Sequence, residues 1–523
     1  MIVGMGRREV SLLLAVIGLH LVVSVAWLLL DQGLLDGDEL GVLGAVELFW
    51  GMTHSDGVAT ALAEGAVGDY GEYPPLHYAL TGIPTALLGV EDLDGDGPML
   101  VGLGWGVLAL LATAWLATAL GRRAAIAQPG RAGVLAAALL ASSPLWTGMQ
   151  RHLLLENALV AFVALAAAAW TTVSAPGWRG PRQLGLLTAV APAAALLVKQ
   201  TAALALLPFA IVDVAARGDR RSRVLDMTLW ALVTAIAAGP WYLRHLMSSE
   251  YLADAAEANP DAVGWLHQLA IYPLALSQLG LAVAVWAVVI ALIVTRRPGH
   301  GAWRLPALVV LLGVLLLLPI PKKYPRLLMA LLPFFAAALA LALDGVRGRA
   351  RGLLYGVLAA SLLASSAGLP ILGPTYVGLG QLDERCPQRW ATAPSRPGLP
   401  WDALIAGIET AAPTPNTRVS AISWPAPPCG YQTSHDLGEH LRIRMRRAGS
   451  ELEVAAGDSF VQADGWSGGP PDVLLHDGEL QCGEPPGAQG AGDPCAGLAW
   501  REVARIPWSH PAWSVDFRLS VQQ

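Results

Sequence analysis

Apolar runs long enough to cross a bilayer as a helix recur from Leu12 into the last third of the chain. The clearest candidate spans are 11–30, 99–120, 132–148, 153–173, 224–244, 270–295, 305–319, 325–343 and 353–372. A chain built this way must satisfy its backbone hydrogen bonds within each crossing, so a helical membrane protein is the expected class. Composition agrees: 54% of the 523 residues are hydrophobic, 14% are charged, and the mean hydropathy is +0.50. Arginines occur in short clusters between apolar runs, which argues against a nucleic-acid partner, and the net charge of -6 adds little to that. The first run follows "GRRE" with no small-residue cleavage site before the next acids, and reads as a retained helix.

The segment 184–216 is about two spans long and is interrupted by "VKQT". If it turns back as a hairpin, "GRR", "GWRGPR", "RGDRRSR", "TRRPG" and "RGRARG" all fall on the side of the N-terminal "GRRE". A single crossing would scatter them, so the positive-inside rule selects the hairpin and a total of about eleven spans. The N-terminus is then cytoplasmic. Segment 76–90 is short, contains Gly82 and Pro84, and reads as an interfacial or re-entrant piece of a long external loop, 31–98, which has no Lys or Arg.

From about residue 374 the composition changes to Pro/Gly-rich turns, a helix-like patch at 401–411 and short strands in "RVSAIS", "ELEVAA" and "DVLLH". The expected architecture is therefore a transmembrane domain over 1–373 and a small extracytoplasmic α/β domain over 374–523. Cys386, Cys429, Cys482 and Cys495 all lie in that tail without a C-x-x-C pair, which favours disulfides over zinc. Three pairings are possible; proximity favours Cys482 with Cys495 and Cys386 with Cys429.

Outside the tail, the external cations are Arg151, Lys199, Arg244, Lys322, Lys323 and Arg326, each at or just inside the outer end of a span. Cations there run against the positive-inside rule and are costly unless paired. Singly, each reads as a snorkelling side chain or a partner for a structural acid, Glu156 being such a partner for Lys199 or Arg151. Together they form one level of positive charge suited to an anionic ligand such as a lipid phosphate. Opposite them, the first span is followed at once by Asp36, Asp38 and Glu39.

Five ordered stretches carry a family resemblance: "GDELGVLGAVELF", "YGEYPPLHY", "RHLLLENALVAF", "LLVKQTAALALLP", and "GPWYLRH" with "KKYPRLLMALLPF". Over about residues 10–345 the chain resembles the GT-C glycosyltransferases, and is similar to bacterial protein O-mannosyltransferases and lipid A aminoarabinose transferases. The resemblance implies a polyprenyl-phosphate sugar donor, a bacterial inner membrane, transfer at its outer face without metal or cofactor, and an acid after the first span as catalytic base. Asp38 matches that position, with Glu39 beside it, and Tyr70 and Glu72 match a polar pair before the Pro-Pro element. Arg151, Glu156, Lys199, Arg244, Lys323, Tyr324 and Arg326 fall within or beside the matched motifs, as candidates for holding the donor phosphate. The aminoarabinose enzymes carry an Arg and a Lys where this chain has Gly41 and Tyr73, which implies a different donor or acceptor.

Glycosyl transfer needs a base for the acceptor hydroxyl and cations for the departing phosphate. One displacement assisted by one carboxylate inverts the anomeric centre. Plainer readings stand beside these: Asp38 as the N-cap of a helix over 39–50, His77 as a packing residue, Tyr70 and Tyr73 as interface aromatics. "DLDGDG", Asp92–Gly97, matches half of a calcium loop, but the twelfth position is Leu103 instead of Glu. Two other functions fit the composition: a flippase for lipid-linked sugars, and a non-catalytic scaffold that keeps donor binding. Polar residues gathered at one face, without paired repeats, favour the enzyme. The acceptor, a lipid, glycan or protein, is not identified.

Overall fold

The computed structural model describes residues 5–30, 37–65, 73–89, 96–175, 182–216, 220–246, 301–318, 325–343, 352, 356, 358–360, 400–412, 414, 417–422, 441–442, 445, 452–454, 461–462, 465–466, 472–477, 499–510 and 513–522. The chain divides into two compact units, Met1–Leu28 with Ala45–Ala393, and Leu29–Gly44 with Pro394–Gln523.

In the first unit the helices are α1 (Arg7–Leu30), α2 (Gly37–Asp56, shared with the second unit), α3 (Val58–Gly65), α4 (Leu76–Leu87), α5 (Asp96–Arg123), α6 (Pro129–Ala141), α7 (Pro144–Gln150), α8 (Glu156–Val173), α9 (Arg182–Val198), α10 (Ala203–Ala215), α11 (Arg220–Leu246), α12 (Arg304–Leu317) and α13 (Leu332–Leu343). Two 3₁₀ turns, Gln200–Ala202 and Pro325–Leu331, precede α10 and α13. Among the described residues, four helical stretches are long and apolar enough to cross a membrane: Arg7–Leu30, Gly97–Arg123, Glu156–Val173 and Arg326–Leu343. Shorter apolar helices lie between them, among them Pro129–Ala141, Gly185–Val198, Gln200–Ala215 and Arg304–Leu317. The candidate spans 270–295 and most of 353–372 lie outside the described residues.

A few side-chain contacts fix how the helices alternate. Glu156, at the start of α8, pairs with Lys199 just before α10, and Trp170, near the end of α8, bonds Asp213 near the end of α10. So α10 runs parallel to α8, and the chain must rise along α9 to reach its start. That is the hairpin expected at 184–216. At the Trp170 end, Arg123 of α5 also meets Asp213, whereas Gly102 of α5 faces Asn157 at the other end. Along α1, Glu9 lies against Gly130 of α6, His20 bonds Gln150, and Trp27 meets Arg151 and His152. Helices α1, α6 and α9 therefore run one way, and α5, α8 and α10 the other. Arg7, Arg8, Arg122, Arg123 and Arg131 consequently share one end of the bundle, the Asp213 end.

Small residues let the helices approach. In α8, Ala158, Ala161, Ala164, Ala167, Ala168 and Ala169 are fully buried where it packs on α5 and α9. A Cβ on Gly133 of α6 would come within 2.6 Å of the Ala114 carbonyl of α5, so only glycine fits that crossing. Gly82 does not interrupt its segment as its sequence suggests. Helix α4 runs through it, and a Cβ there would stand 2.6 Å from the Val46 carbonyl and 2.8 Å from Phe49 Cβ, making Gly82 the contact point with α2. Pro84 also lies inside α4, which at 12 residues is too short to span a bilayer. The expected span 132–148 is likewise two helices, α6 and α7, because Pro144 cannot continue the α6 hydrogen-bond ladder.

The second unit is an α/β fold. Helix α14 (Trp401–Ala411) accompanies strands β1 (Arg418–Ile422), β2 (Glu453–Val454), β3 (Val461–Gln462), β4 (Gly465–Trp466), β5 (Val473–Asp477), β6 (Trp500–His510) and β7 (Trp513–Gln522). Five strands form one sheet in the order β2-β1-β5-β7-β6, with β1 parallel to β2 and β5, and β7 antiparallel to β5 and β6. Leu404 and Ile408, four apart on α14, share a buried core with Val419, Val473, Leu475 and Leu519. The patch at 401–411 and all three strand-like stretches form the elements expected of them. All four cysteines lie outside the described residues.

Candidate functional site

Three chain breaks at one end of the bundle bring charge into the protein. The first is the Ser143–Pro144 junction, where the Ser143 hydroxyl accepts the Trp146 amide hydrogen at 3.3 Å and Pro144 occupies the first turn of α7. After seven residues α7 ends, and the loop 151–155 carries the chain to α8. Glu156 is the first residue of α8, where the helix dipole favours a carboxylate. The second break is Lys199, whose extended backbone (φ −161°, ψ 137°) separates α9 from the following 3₁₀ turn. The third is the 3₁₀ turn that contains Arg326.

Lys199 Nζ donates to Glu156 Oε1 at 2.5 Å, both side chains being almost fully buried. The same ammonium stands 4.9 Å from the centre of the Tyr73 ring, a cation–π contact. Arg326 lies within electrostatic range of Glu156. His77, at the start of α4, is 1% exposed and senses both Glu156 and Lys199. Neither of its ring nitrogens, nor Glu156 Oε2, has a hydrogen-bond partner among the described residues. Burial lowers His77 from 6.5 to about 4, opposed by the Glu156 carboxylate and reinforced by Lys199, so it is neutral at pH 7.

Next to this cluster, the Arg151 guanidinium packs 5.0 Å from the Trp27 ring of α1, and His152 meets the same ring edge-on. His20, also of α1, bonds Gln150 Oε1 and lies 4.7 Å from the Trp146 ring. Asn157 holds the loop from below, its amide donating to the Met149 and Gln150 carbonyls at 3.4 Å each. Gln150 fits because Gly106 of α5 leaves room that a Cβ would fill.

The structure thus joins Lys199, Glu156 and Arg326 around one buried point, with Arg151 on the adjoining loop. Glu156 takes Lys199, the first of its two expected partners. Arg244 is exposed, two residues before the end of α11. Asp38 and Glu39 lie in the first turn of α2, which begins at Gly37, so Asp38 stands inside the helix and not at its N-cap. Their side chains lie outside the described residues, as do Tyr70, Glu72, Lys322, Lys323, Tyr324 and the loop residues Asp92–Leu93–Asp94. Sequence reasoning singled out Tyr73 as a departure from a motif and as an interface aromatic, and set His77 aside as packing. It passed over His20, Trp27 and Gln150 entirely. A histidine within an otherwise apolar run was the available signal for His20.

Electrostatically, the buried Glu156 carboxylate faces the buried Lys199 ammonium, with the half-buried Arg326 in range. A buried ion pair is close to neutral in its effect on stability, and Glu156 Oε2 still has no hydrogen bond among the described residues. The arrangement is suited to receive a phosphate-like group beside a neutral imidazole.

Helices that alternate in this way, with a separate α/β unit, make up the membrane fold that the chain shares with solved structures. The chain matches the solved structure of ArnT from Cupriavidus metallidurans in the apo state with a TM-score of 0.61 at 16% identity, covering 98% of both chains. It also matches ArnT of that organism bound to undecaprenyl phosphate (TM-score 0.56, 16% identity, 97% of both chains). A third match is the archaeal oligosaccharyltransferase AglB from Archaeoglobus fulgidus in complex with an inhibitory peptide and a dolichol-phosphate (TM-score 0.53, 12% identity, 90% of this chain and 69% of that one). The family model described as dolichyl-phosphate-mannose-protein mannosyltransferase matches residues 103–243, which run from α5 through most of α11 and include Arg151, Glu156 and Lys199. No curated protein matches the sequence.

Proposed function

We propose that the protein is a membrane glycosyltransferase that moves a sugar from a polyprenyl-phosphate donor to an acceptor hydroxyl at the outer face of a bacterial inner membrane. The observation that carries this reading is the buried Glu156–Lys199 pair at one end of a GT-C fold, with Arg326 in electrostatic range and Glu156 Oε2 without a hydrogen bond among the described residues. Fold relatives that hold undecaprenyl phosphate and dolichol-phosphate support a lipid phosphate as the anion. In the proposed topology the N-terminus and the arginine-rich end are cytoplasmic, and the C-terminal α/β domain, from about residue 374, is extracytoplasmic.

In the reaction, the acceptor oxygen attacks the anomeric carbon while the bond from that carbon to the phosphate oxygen breaks. The hydroxyl proton passes to a carboxylate, Asp38 with Glu39 as its neighbour, and polyprenyl phosphate departs. Lys199, Arg326 and Arg151, with Lys323, Tyr324 and Arg244 as further candidates, stabilise the charge that grows on the departing phosphate. Their effect is largest in a dry site. Tyr70 and Glu72 are further candidates for binding the donor. A single displacement inverts the anomeric configuration.

The test is transfer of label from radioactive polyprenyl-phosphate sugars to membrane extract by purified protein, wild type beside Asp38→Asn. Transfer by the wild type and its loss in Asp38→Asn are expected. Undiminished transfer by the variant removes the base assignment, and lipid-linked sugar crossing vesicles without product removes the enzyme.

A further inference from the structure

At the opposite end of the bundle, a cavity of about 630 Å³ opens between α1, α6 and residues 358–359. Its walls change character along their length. Arg8, Glu9, Gln128 and Arg131 line the end near the helix starts, and Leu12, Ala15, Leu19, Val134 and Ala138 continue it as an apolar groove. The rise from Arg8 to Leu19 is about 16 Å at 1.5 Å per residue. That is about half of the roughly 30 Å hydrocarbon core, the depth of one leaflet. Leu12 and Leu19 are 50% and 37% exposed, although each lies within an apolar membrane helix. Gly130 lets α1 lie close at the charged end, where an added Cβ would meet Met5 and Glu9 at 3.3–3.4 Å. Arg131 lines the mouth and donates to Gln128 Oε1 at 3.2 Å.

We infer that this cavity binds one anionic glycerophospholipid of the leaflet on the arginine-rich side. Its phosphate sits between Arg8 and Arg131, and one acyl chain runs up the groove from Leu12 toward Leu19. Charge complementarity selects the occupant: among the described residues the lining holds two guanidinium groups, Arg8 and Arg131, and one carboxylate, Glu9, with Arg7 adjoining. Basic pockets between membrane helices on the cytoplasmic side take anionic headgroups for this reason. The volume falls within the usual range for a bound small molecule. This site is distinct from the Lys199 cluster and takes no part in glycosyl transfer. The choice of leaflet rests on the proposed topology; the preference for an anionic lipid does not.

Native mass spectrometry of the full-length protein, stripped of lipid in detergent and offered phosphatidylglycerol or phosphatidylcholine, tests the site. Wild type should retain phosphatidylglycerol over phosphatidylcholine by about tenfold or more, the scale expected of two arginines facing an anionic headgroup. Arg8→Gln with Arg131→Gln should abolish the preference. Glu9→Gln should strengthen it, and Ala15→Trp, which fills the groove, should reduce retention of both lipids. Thermal unfolding of each variant checks that the fold is intact. Equal retention of the two lipids by wild type overturns the inference. So does a preference that survives Arg8→Gln with Arg131→Gln. None of these outcomes depends on label transfer, so failure here and failure of the proposed reaction are separately visible.

Discussion

The two ends of α8 each bury a carboxylate, and they treat it in opposite ways. At the far end, both oxygens of Asp213 are used: Arg123 donates to Oδ1 at 2.5 Å and the Trp170 indole to Oδ2 at 2.8 Å. One cation meets one anion, and Arg123 is partly exposed to solvent. At the near end, Glu156 spends one oxygen on Lys199, leaves the other without a hydrogen bond among the described residues, and has Arg326 close by. The first arrangement is complete and can only stabilise. The second has capacity left over, which is what a ligand site requires.

The largest effect is expected from breaking the incomplete pair. Lys199→Met leaves Glu156 charged and buried, which should cost about 3–5 kcal/mol of stability, read by thermal unfolding in detergent. Combining it with Glu156→Gln should return most of that stability, because no uncompensated charge remains. Label transfer should stay low in the double variant, by about a hundredfold or more, if Lys199 stabilises the departing phosphate. A double variant that regains both stability and transfer would reduce the pair to a structural bridge.

The complete pair should give the contrasting result. Asp213→Asn loses a charge-assisted bond, worth about 1.5–3 kcal/mol, while Arg123 can turn toward water. Transfer per folded molecule should match wild type. Loss of transfer at unchanged folded fraction would mean that the two ends are coupled and that their difference is not one of function against stability.

A smaller effect belongs to the aromatic wall. Tyr73→Leu removes the ring facing Lys199 and should weaken donor binding by about 0.5–2 kcal/mol, seen as a raised KM with little change in kcat. An unchanged KM would mean that the ammonium does not need the ring to be placed.

How much of this was legible in the sequence follows from the range over which each feature is decided. The Lys199 hairpin was legible because span length and arginine placement are properties of whole segments, and the paired contacts of α8 and α10 agree with them. Strands β1 and β5 were legible for a similar reason, since their short apolar runs lie between turn-forming residues. Glu156 could be given two partners but not one, because choosing Lys199 over Arg151 depends on how α9 packs against α8. Gly82 misled: in sequence a glycine near a proline looks like a break, whereas here it is where α2 comes closest to α4. His77 was hidden by its neighbours, since "PPLHY" gives no sign that the imidazole is buried against an ion pair from α8 and the α9–α10 break.

His77 supplies the gentlest probe of the open end, one that is silent at neutral pH. Its folded pKa of about 4 lies below the 6.5 of the exposed group, so the unfolded chain takes up the proton first as pH falls. Above pH 6.5 both states hold the neutral ring, and His77→Phe should leave the pH dependence of stability as it was. Between 6.5 and 4 the unfolded state is favoured progressively, and below 4 the loss levels off. His77→Phe should flatten that stretch of the stability curve, measured by unfolding at a series of pH values. Binding of a phosphate-headed lipid beside the ring should flatten it too, because a nearby anion raises the folded pKa toward the free value. Asp213 and its partners offer no comparable response, since nothing there is left to be completed. An acid slope indifferent both to His77→Phe and to added polyprenyl phosphate would show that the imidazole does not face the anion site, and the contrast between the two ends would then rest on Lys199 and Arg326 alone.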